Sequence, residues 1–468
     1  MIIETKSGKI QGYFENHLYL FKGIPYAKAK RFLPPVDCQW AGTLDCTQFR
    51  NKACQMKGGQ LNMAGMGEDC LNLNIYTPSL EEKLPVLVEI HGGAFQNGSN
   101  QGMDPYRVIG NQKFVYVMMN YRLGVFGYLY LGQALGDQYQ TSGNNGTLDQ
   151  LAALKWIHEN IACFGGDPDR VTLLGSSAGA KSIGAIMSHP MSKTYFQQAI
   201  LISGAYQSVR DKKTAQVITD RFKDIIQVEN MHELLEMPVE KLLLAQSELC
   251  QGFGSTCMFG PVADGKVIPD DFFNQVHSSS YWSGKAMIGS SKSELVFYQW
   301  MDQNLAEHGA AIAKELFGKN AEIAIEDAQA LTKTMTGSDA WVKVLSDYMY
   351  RTYSYRLGRI LTHNGSAVWQ YSTELAPAFH CLDHTISLEP ASKLDKYFGN
   401  ADNKDEIIQL GNQMREAYVS FIIHGDPKVE GWQPLNEKNI QMIWDLPAHI
   451  EKIDHEACDR FPEQVYRL

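Results

Sequence analysis

Short apolar runs alternate along the chain with longer segments whose apolar positions recur every three or four residues. Six of the runs are LPVLVEIHGG (84–93), KFVYVMMNY (113–121), RVTLLGSS (170–177), QQAILISG (197–204), KAMIGSS (285–291) and SAVWQYS (366–372). Each is rich in Val, Ile, Leu, Met or aromatic residues, and most end in Gly, Ser or Asn, as strands buried on both faces of an α/β sheet do. The segment TLDQLAALKWIHENIACFGG (147–166) predicts a helix, with Thr147 as N-cap, a stripe of Leu151, Leu154, Ile157 and Ile161, and a stop at Gly165 and Gly166. Two longer helical stretches, about 212–249 and about 302–361, fall between predicted strands and read as insertions above the sheet's C-terminal edge, where a lid would sit. The N-terminal MIIETKSGKIQGYF reads as an alternating strand and hairpin.

With 468 residues, 44% hydrophobic and 20% charged, the chain can bury a large core. No repeat, low-complexity tract or linker divides it, so one α/β domain over 1–468 is expected, with helical insertions at about 205–258 and 295–365. Its 42 Lys and Arg against 52 Asp and Glu give a net charge of −10, the wrong sign for nucleic acid. A signal-peptide pattern is lacking at the N-terminus and no apolar run approaches the roughly 18 residues that span a bilayer, so a cytoplasmic protein without a membrane partner is expected. The nine cysteines form no CxxC and no Cys/His metal spacing, and an odd count leaves at least one free thiol.

Candidate chemistry enters at VTLLGSSAGAKSIGAI (171–186), where Gly-x-Ser-x-Gly follows a strand and opens a helix. Such a turn forces its central residue into a strained backbone and packs helix on strand, so small residues are needed two positions either side. Gly175 and Gly179 flank Ser177 at that distance, whereas Ser176 has Leu174 and Ala178, and Ser182 lies a turn into the helix. Ser177 is therefore the candidate nucleophile. After the strand PVLVEI comes HGGAF (91–95), the loop expected to supply oxyanion donors: the amides of Gly93 and Ala94, joined by that of Ala178, with Gly92 shaping the turn.

The chain resembles the type-B carboxylesterase and cholinesterase family of the α/β-hydrolase fold. The resemblance runs nearly end to end, through FKGIPYAKAKRFLPP (21–35), GEDCLNLNIYTP (67–78), PVLVEIHGGAFQNGS (85–99), NYRLGVFGYL (120–129), the segment 144–179 and HGDPKVEGWQPL (424–435). The HGGA loop makes it most similar to the bacterial para-nitrobenzyl esterases. The resemblance implies a central, mostly parallel twisted sheet flanked by helices, with helical insertions over the active site. It also implies a Ser, acid, His order along the chain. The acid is expected in IGSSKSELVFY (288–298) as Glu294, with Asp264 in GPVADGKVIPDDF as competitor. The base is expected in ELAPAFHCLDHTISL (374–388) as His380, with Asp383 where a Glu is common. His384, four residues on, remains a rival.

The implied activity is hydrolysis of small to medium apolar esters through an acyl-enzyme, with no metal or organic cofactor. An amidase or carbamate hydrolase with the same triad is the alternative, and a non-catalytic binding member a third. Phe95, Phe297, Tyr298 and Trp300 suggest an apolar pocket for neutral esters, or else core packing. The partner expected is a small-molecule ester, and the chain a monomer or weak homo-oligomer. The chain departs from the family at Ser176, where relatives usually carry Glu. Cys54 and Cys70 match the positions of a disulfide in secreted relatives, but Cys250 and Cys257 do not match a second one cleanly.

Overall fold

The computed structural model describes residues 1–56, 59–399, 401–436 and 438–464. Its main sheet has eleven strands: β1 (Tyr13–Glu15), β2 (Leu18–Pro25), β3 (Asn72–Thr77), β4 (Leu84–Ile90), β5 (Val115–Met119), β6 (Gly166–Ser176), β7 (Gln198–Ile202), β8 (Lys285–Ser291), β9 (Ala367–Thr373), β10 (Ile440–Trp444) and β11 (His449–Lys452). Across the sheet they run β11-β10-β9-β8-β7-β6-β4-β5-β3-β2-β1. The seven from β10 to β5 are parallel, and antiparallel strands close both edges. All six predicted strands fall in this parallel centre. The N-terminal hairpin, Ile2–Thr5 with Gly8–Gln11, forms apart from it in a small sheet with Thr43–Asp45.

Every residue of β4 and β5 is buried, and successive side chains enter opposite cores. Val86, Val88 and Ile90 face one, while Leu87, Tyr116 and Met118 face the other. Helix α1 (Asn145–Asn160) covers the first face through Leu151, Leu154 and Ile157, each burial contributing roughly 1.5–3 kcal/mol. Helix α1 starts two residues before the expected N-cap, so Thr147 lies inside its first turn. The reason is the 3-10 turn Ser142–Asn144 that runs straight into it. Asn144 caps nothing here. Its amide instead bonds the backbone N–H and C=O of Val262, at 2.9 and 2.7 Å, tying the helix entry to a neighbouring segment. The stop is as expected, with Gly165 left-handed at φ 76°.

Helix α2 (Ala178–Ile186) follows β6 directly. The first helical stretch is a pair, α3 (Lys212–Ile226) and α4 (Val239–Leu249), packed on each other. The second contains a mutually packed trio, α5 (Leu305–Phe317), α6 (Ala321–Leu331) and α7 (Gly337–Ser346). A π-turn, Asp347–Arg351, leads from α7 into α8 (Thr352–His363), which lies on β8 and β9 as a layer of the main fold. Helices α9 (Leu382–Leu388) and α10 (Lys404–His424) pack together on the second face. Among the described residues no helix is long and apolar enough to cross a membrane.

The chain leaves β4 for β5 on one side and returns to β6 on the other. The ends of β4 and β6 thus meet at the point where strand order reverses, the place where open α/β sheets hold ligands.

Candidate active site

Strand β6 ends at Ser176, α2 begins at Ala178, and Ser177 between them has φ 54° and ψ −119°. This strained backbone is held by the Ser177 N–H, which donates to Ile202 C=O at 2.8 Å. The flanking glycines are sterically required. A Cβ on Gly175 would lie 2.4 Å from the Gly179 carbonyl carbon, and one on Gly179 would lie 1.9 Å from the Ile90 oxygen. A Cβ on Gly92 would fall 2.7 Å from the Ser176 oxygen and 3.3 Å from Ser177 Cβ, so the loop after β4 rests directly on the serine turn.

That loop is itself left-handed, with positive φ at Gly93 (114°), Ala94 (53°) and Phe95 (60°). The Gly93 carbonyl accepts from the amides of Gln96 and Asn97 at 2.9 and 3.0 Å, which closes the turn. Among the described residues the amides of Gly93, Ala94 and Ala178 have no acceptor. They are free to serve an oxygen placed between loop and helix. His91 supports the loop from below: its Nδ1 lies 2.9 Å from Gly92 O and its ring stacks 4.4 Å from Tyr121. Burial lowers its pKa to about 4, which keeps it neutral.

Glu294 follows β8 by three residues and is fully buried. Its Oε1 accepts from the Ser291 N–H at 2.7 Å, and its Oε2 lies 2.5 Å from His380 Nδ1. His380 follows β9 and places Nε2 2.7 Å from Ser177 Oγ. An ionised carboxylate can only accept, so Nδ1 carries the ring proton, and Nε2 is left to accept from the serine hydroxyl. The two loops are joined, since Ser293 N–H donates to Ala378 C=O at 3.1 Å and Lys292 N–H to Thr373 C=O at 2.9 Å.

The rivals have other occupations. Ser182 is buried and accepts from Gln150 Nε2 at 3.0 Å. Ser176 is half-buried, beside Gly92. Asp264 Oδ1 caps a turn by accepting the amides of Lys266, Val267 and Ile268 at 2.8–3.2 Å. His384 lies between Glu89 and Glu389, at 3.7 and 3.6 Å. Burial opposes its charge, but the two carboxylates prevail and raise its pKa to about 9. Asp383 is buried, accepts from Tyr371 O–H at 2.6 Å, and is pushed up by burial to about 6.

The four aromatics do not form one wall. Phe95 is buried edge-on to Tyr128, and buried Tyr298 donates to the Phe253 carbonyl at 2.7 Å. Phe297 is half-buried and Trp300 is 55% exposed. Two neighbours of the site were not anticipated. Tyr350, in the π-turn, sets its ring 4.7 Å from that of His380, and nothing in the periodicity of 302–361 singles it out. Lys181 Nζ sits 4.6 Å from the centroid of the same Tyr350 ring. A lone charge amid AGAKSIGAI was the available signal.

Residues 1–459 match the sequence model of the Carboxylesterase family. The chain belongs to that family. Para-nitrobenzyl esterase of Bacillus subtilis (strain 168) is 31% identical to it over 485 residues, covering 96% of each chain. Phenmedipham hydrolase of Pseudarthrobacter oxydans is 28% identical, over 91% of this chain and 90% of that protein. Among solved structures, carboxylesterase EST55 of Geobacillus stearothermophilus superposes with a TM-score of 0.87 at 31% identity, over 98% of this chain and all of the other. The protein is a serine carboxylesterase with the α/β-hydrolase fold, and its eleven-stranded sheet is the mixed sheet of that fold.

Proposed function

We propose that this carboxylesterase cleaves esters through Ser177, His380 and Glu294, with an acyl-enzyme on Ser177. The observation that carries the reading is the unbroken hydrogen-bond chain from Ser177 Oγ through the His380 ring to Glu294. His380 Nε2 takes the hydroxyl proton as Ser177 Oγ attacks the ester carbonyl. The amides of Gly93, Ala94 and Ala178 hold the oxyanion, and the N-terminus of α2 adds its dipole. The C–O bond to the alcohol then breaks, and His380 protonates the departing oxygen. A water activated by the same imidazole hydrolyses the acyl-enzyme and frees Ser177. Glu294 stays ionised, fixes the tautomer and stabilises the imidazolium.

A short-chain para-nitrophenyl ester assay on wild type, Ser177→Ala and Ser176→Ala tests the assignment. Ser177→Ala is expected to lose on the order of a thousandfold or more in rate, whereas Ser176→Ala keeps most of it. Equal loss in both variants would overturn the reading. So would an organophosphate label on any peptide other than that of Ser177.

A further inference from the structure

Lys181 is one helical turn beyond Ser177 and only 4% exposed. Its stem runs along the turn after β7: a Cβ on Gly204 would lie 3.1 Å from Lys181 Cγ and 2.6 Å from the Ser177 carbonyl oxygen. Its ammonium stacks 4.6 Å over Tyr350, whose ring is 4.7 Å from that of His380. The cation and the catalytic base thus meet the same ring.

Among the described residues it forms no ion pair and no hydrogen bond. Glu294 lies within electrostatic range, but its oxygens are taken by His380 and the Ser291 amide. A second cation, Arg210, is buried nearby, 7% exposed and likewise without a carboxylate partner. Its Nη1 and Nη2 donate to the carbonyls of Met258 and Cys257 at 2.5 and 2.8 Å, and its Nε has no acceptor. Burial lowers the pKa of Lys181, and repulsion from Arg210 adds to that. An isolated buried ammonium is costly, and a negative partner removes the cost. Ser176, beside the nucleophile, carries no charge to compete for it.

Building on the Ser177 reading, we infer that Lys181 is a specificity-determining residue, with Arg210 behind it, and that the favoured ester carries a carboxylate. The arginine's Nη groups are already engaged by carbonyls, so one ammonium is left, which suits a monoanion.

The test measures kcat/KM for mono-para-nitrophenyl glutarate against para-nitrophenyl valerate, which puts the carboxylate on the acyl side. A second pair, 3-carboxyphenyl against 3-carbamoylphenyl valerate, puts it on the alcohol side. In wild type one pair is expected to favour the anion on the order of 10- to 100-fold, the size of a buried hydrogen bond to a charged group. Lys181→Met should collapse that ratio to near one or below, and Lys181→Arg should restore part of it. In wild type alone, glutarate should compete with para-nitrophenyl valerate and glutaramide should not, a readout that stands even if Lys181→Met does not fold. No anion preference in either pair, or a ratio unchanged by Lys181→Met, overturns the inference while the esterase reading stands. Failure to hydrolyse any of the four esters overturns both.

Discussion

His380 and His384 lie four residues apart, the first before α9 and the second inside it, and each faces carboxylate. His380 has Glu294 on one nitrogen and a serine hydroxyl on the other, and its side chain is 21% exposed. His384 has a carboxylate on each side, Glu89 and Glu389, and no access to Ser177. The first ring joins a carboxylate to a hydroxyl, the arrangement on which its proposed role as base rests. The second is held as a cation and serves as a clamp. What lies on the second nitrogen, rather than proximity to an acid, separates the two roles.

The largest effect should come from breaking the first arrangement. Glu294→Gln leaves the geometry but removes the charge that fixes the tautomer, so kcat should fall about ten-thousandfold with little change in thermal stability. An activity loss of only a few fold would show that the acid lies elsewhere.

Breaking the second arrangement should do the opposite. His384→Gln leaves Glu89 buried without its cation, and should cost about 3 kcal/mol of unfolding free energy while changing kcat by no more than a few fold. Chemical denaturation beside a steady-state assay separates the two.

The same clamp predicts a pH dependence. The pKa of His384 is raised in the folded protein from 6.5 to about 9, so its stabilisation is complete below pH 6.5 and lost as pH rises through 9. Burial opposes ionisation of Glu389, but His384 and Lys393 outweigh it and bring its pKa from 4.5 down to about 2. Its share is therefore complete above pH 4.5 and lost as pH falls through 2. Wild type should lose stability between pH 7 and 10, and His384→Gln should lose measurably less. Parallel curves would remove the clamp from the account. Smallest of all, Ser182→Ala should cost about 1 kcal/mol through its bond with Gln150, with activity retained.

The parallel strands and the serine turn were legible because their requirements are local: a buried run, then glycines where a Cβ would strike backbone. The choice of His380 over His384 came from the family resemblance of the AFH stretch and not from local physics, since AFHCLDH offers both and residue spacing is silent. His384 is instead engaged by Glu89, which lies in β4 far away in the chain and faces the second core. Thr147 failed as a cap for a similar reason, because Val262, brought in by tertiary folding, set the helix entry. The last helix of the second insertion was hidden too. Its amphipathic stripe fits a lid or a sheet layer equally well, and only contact with β8 and β9 distinguishes them.

The glycines around the serine turn have a practical meaning for anyone wishing to redesign this enzyme. Gly92, Gly175 and Gly179 are pressed against main-chain atoms, which no neighbouring substitution can trim away. A mutational library should therefore find these three positions closed.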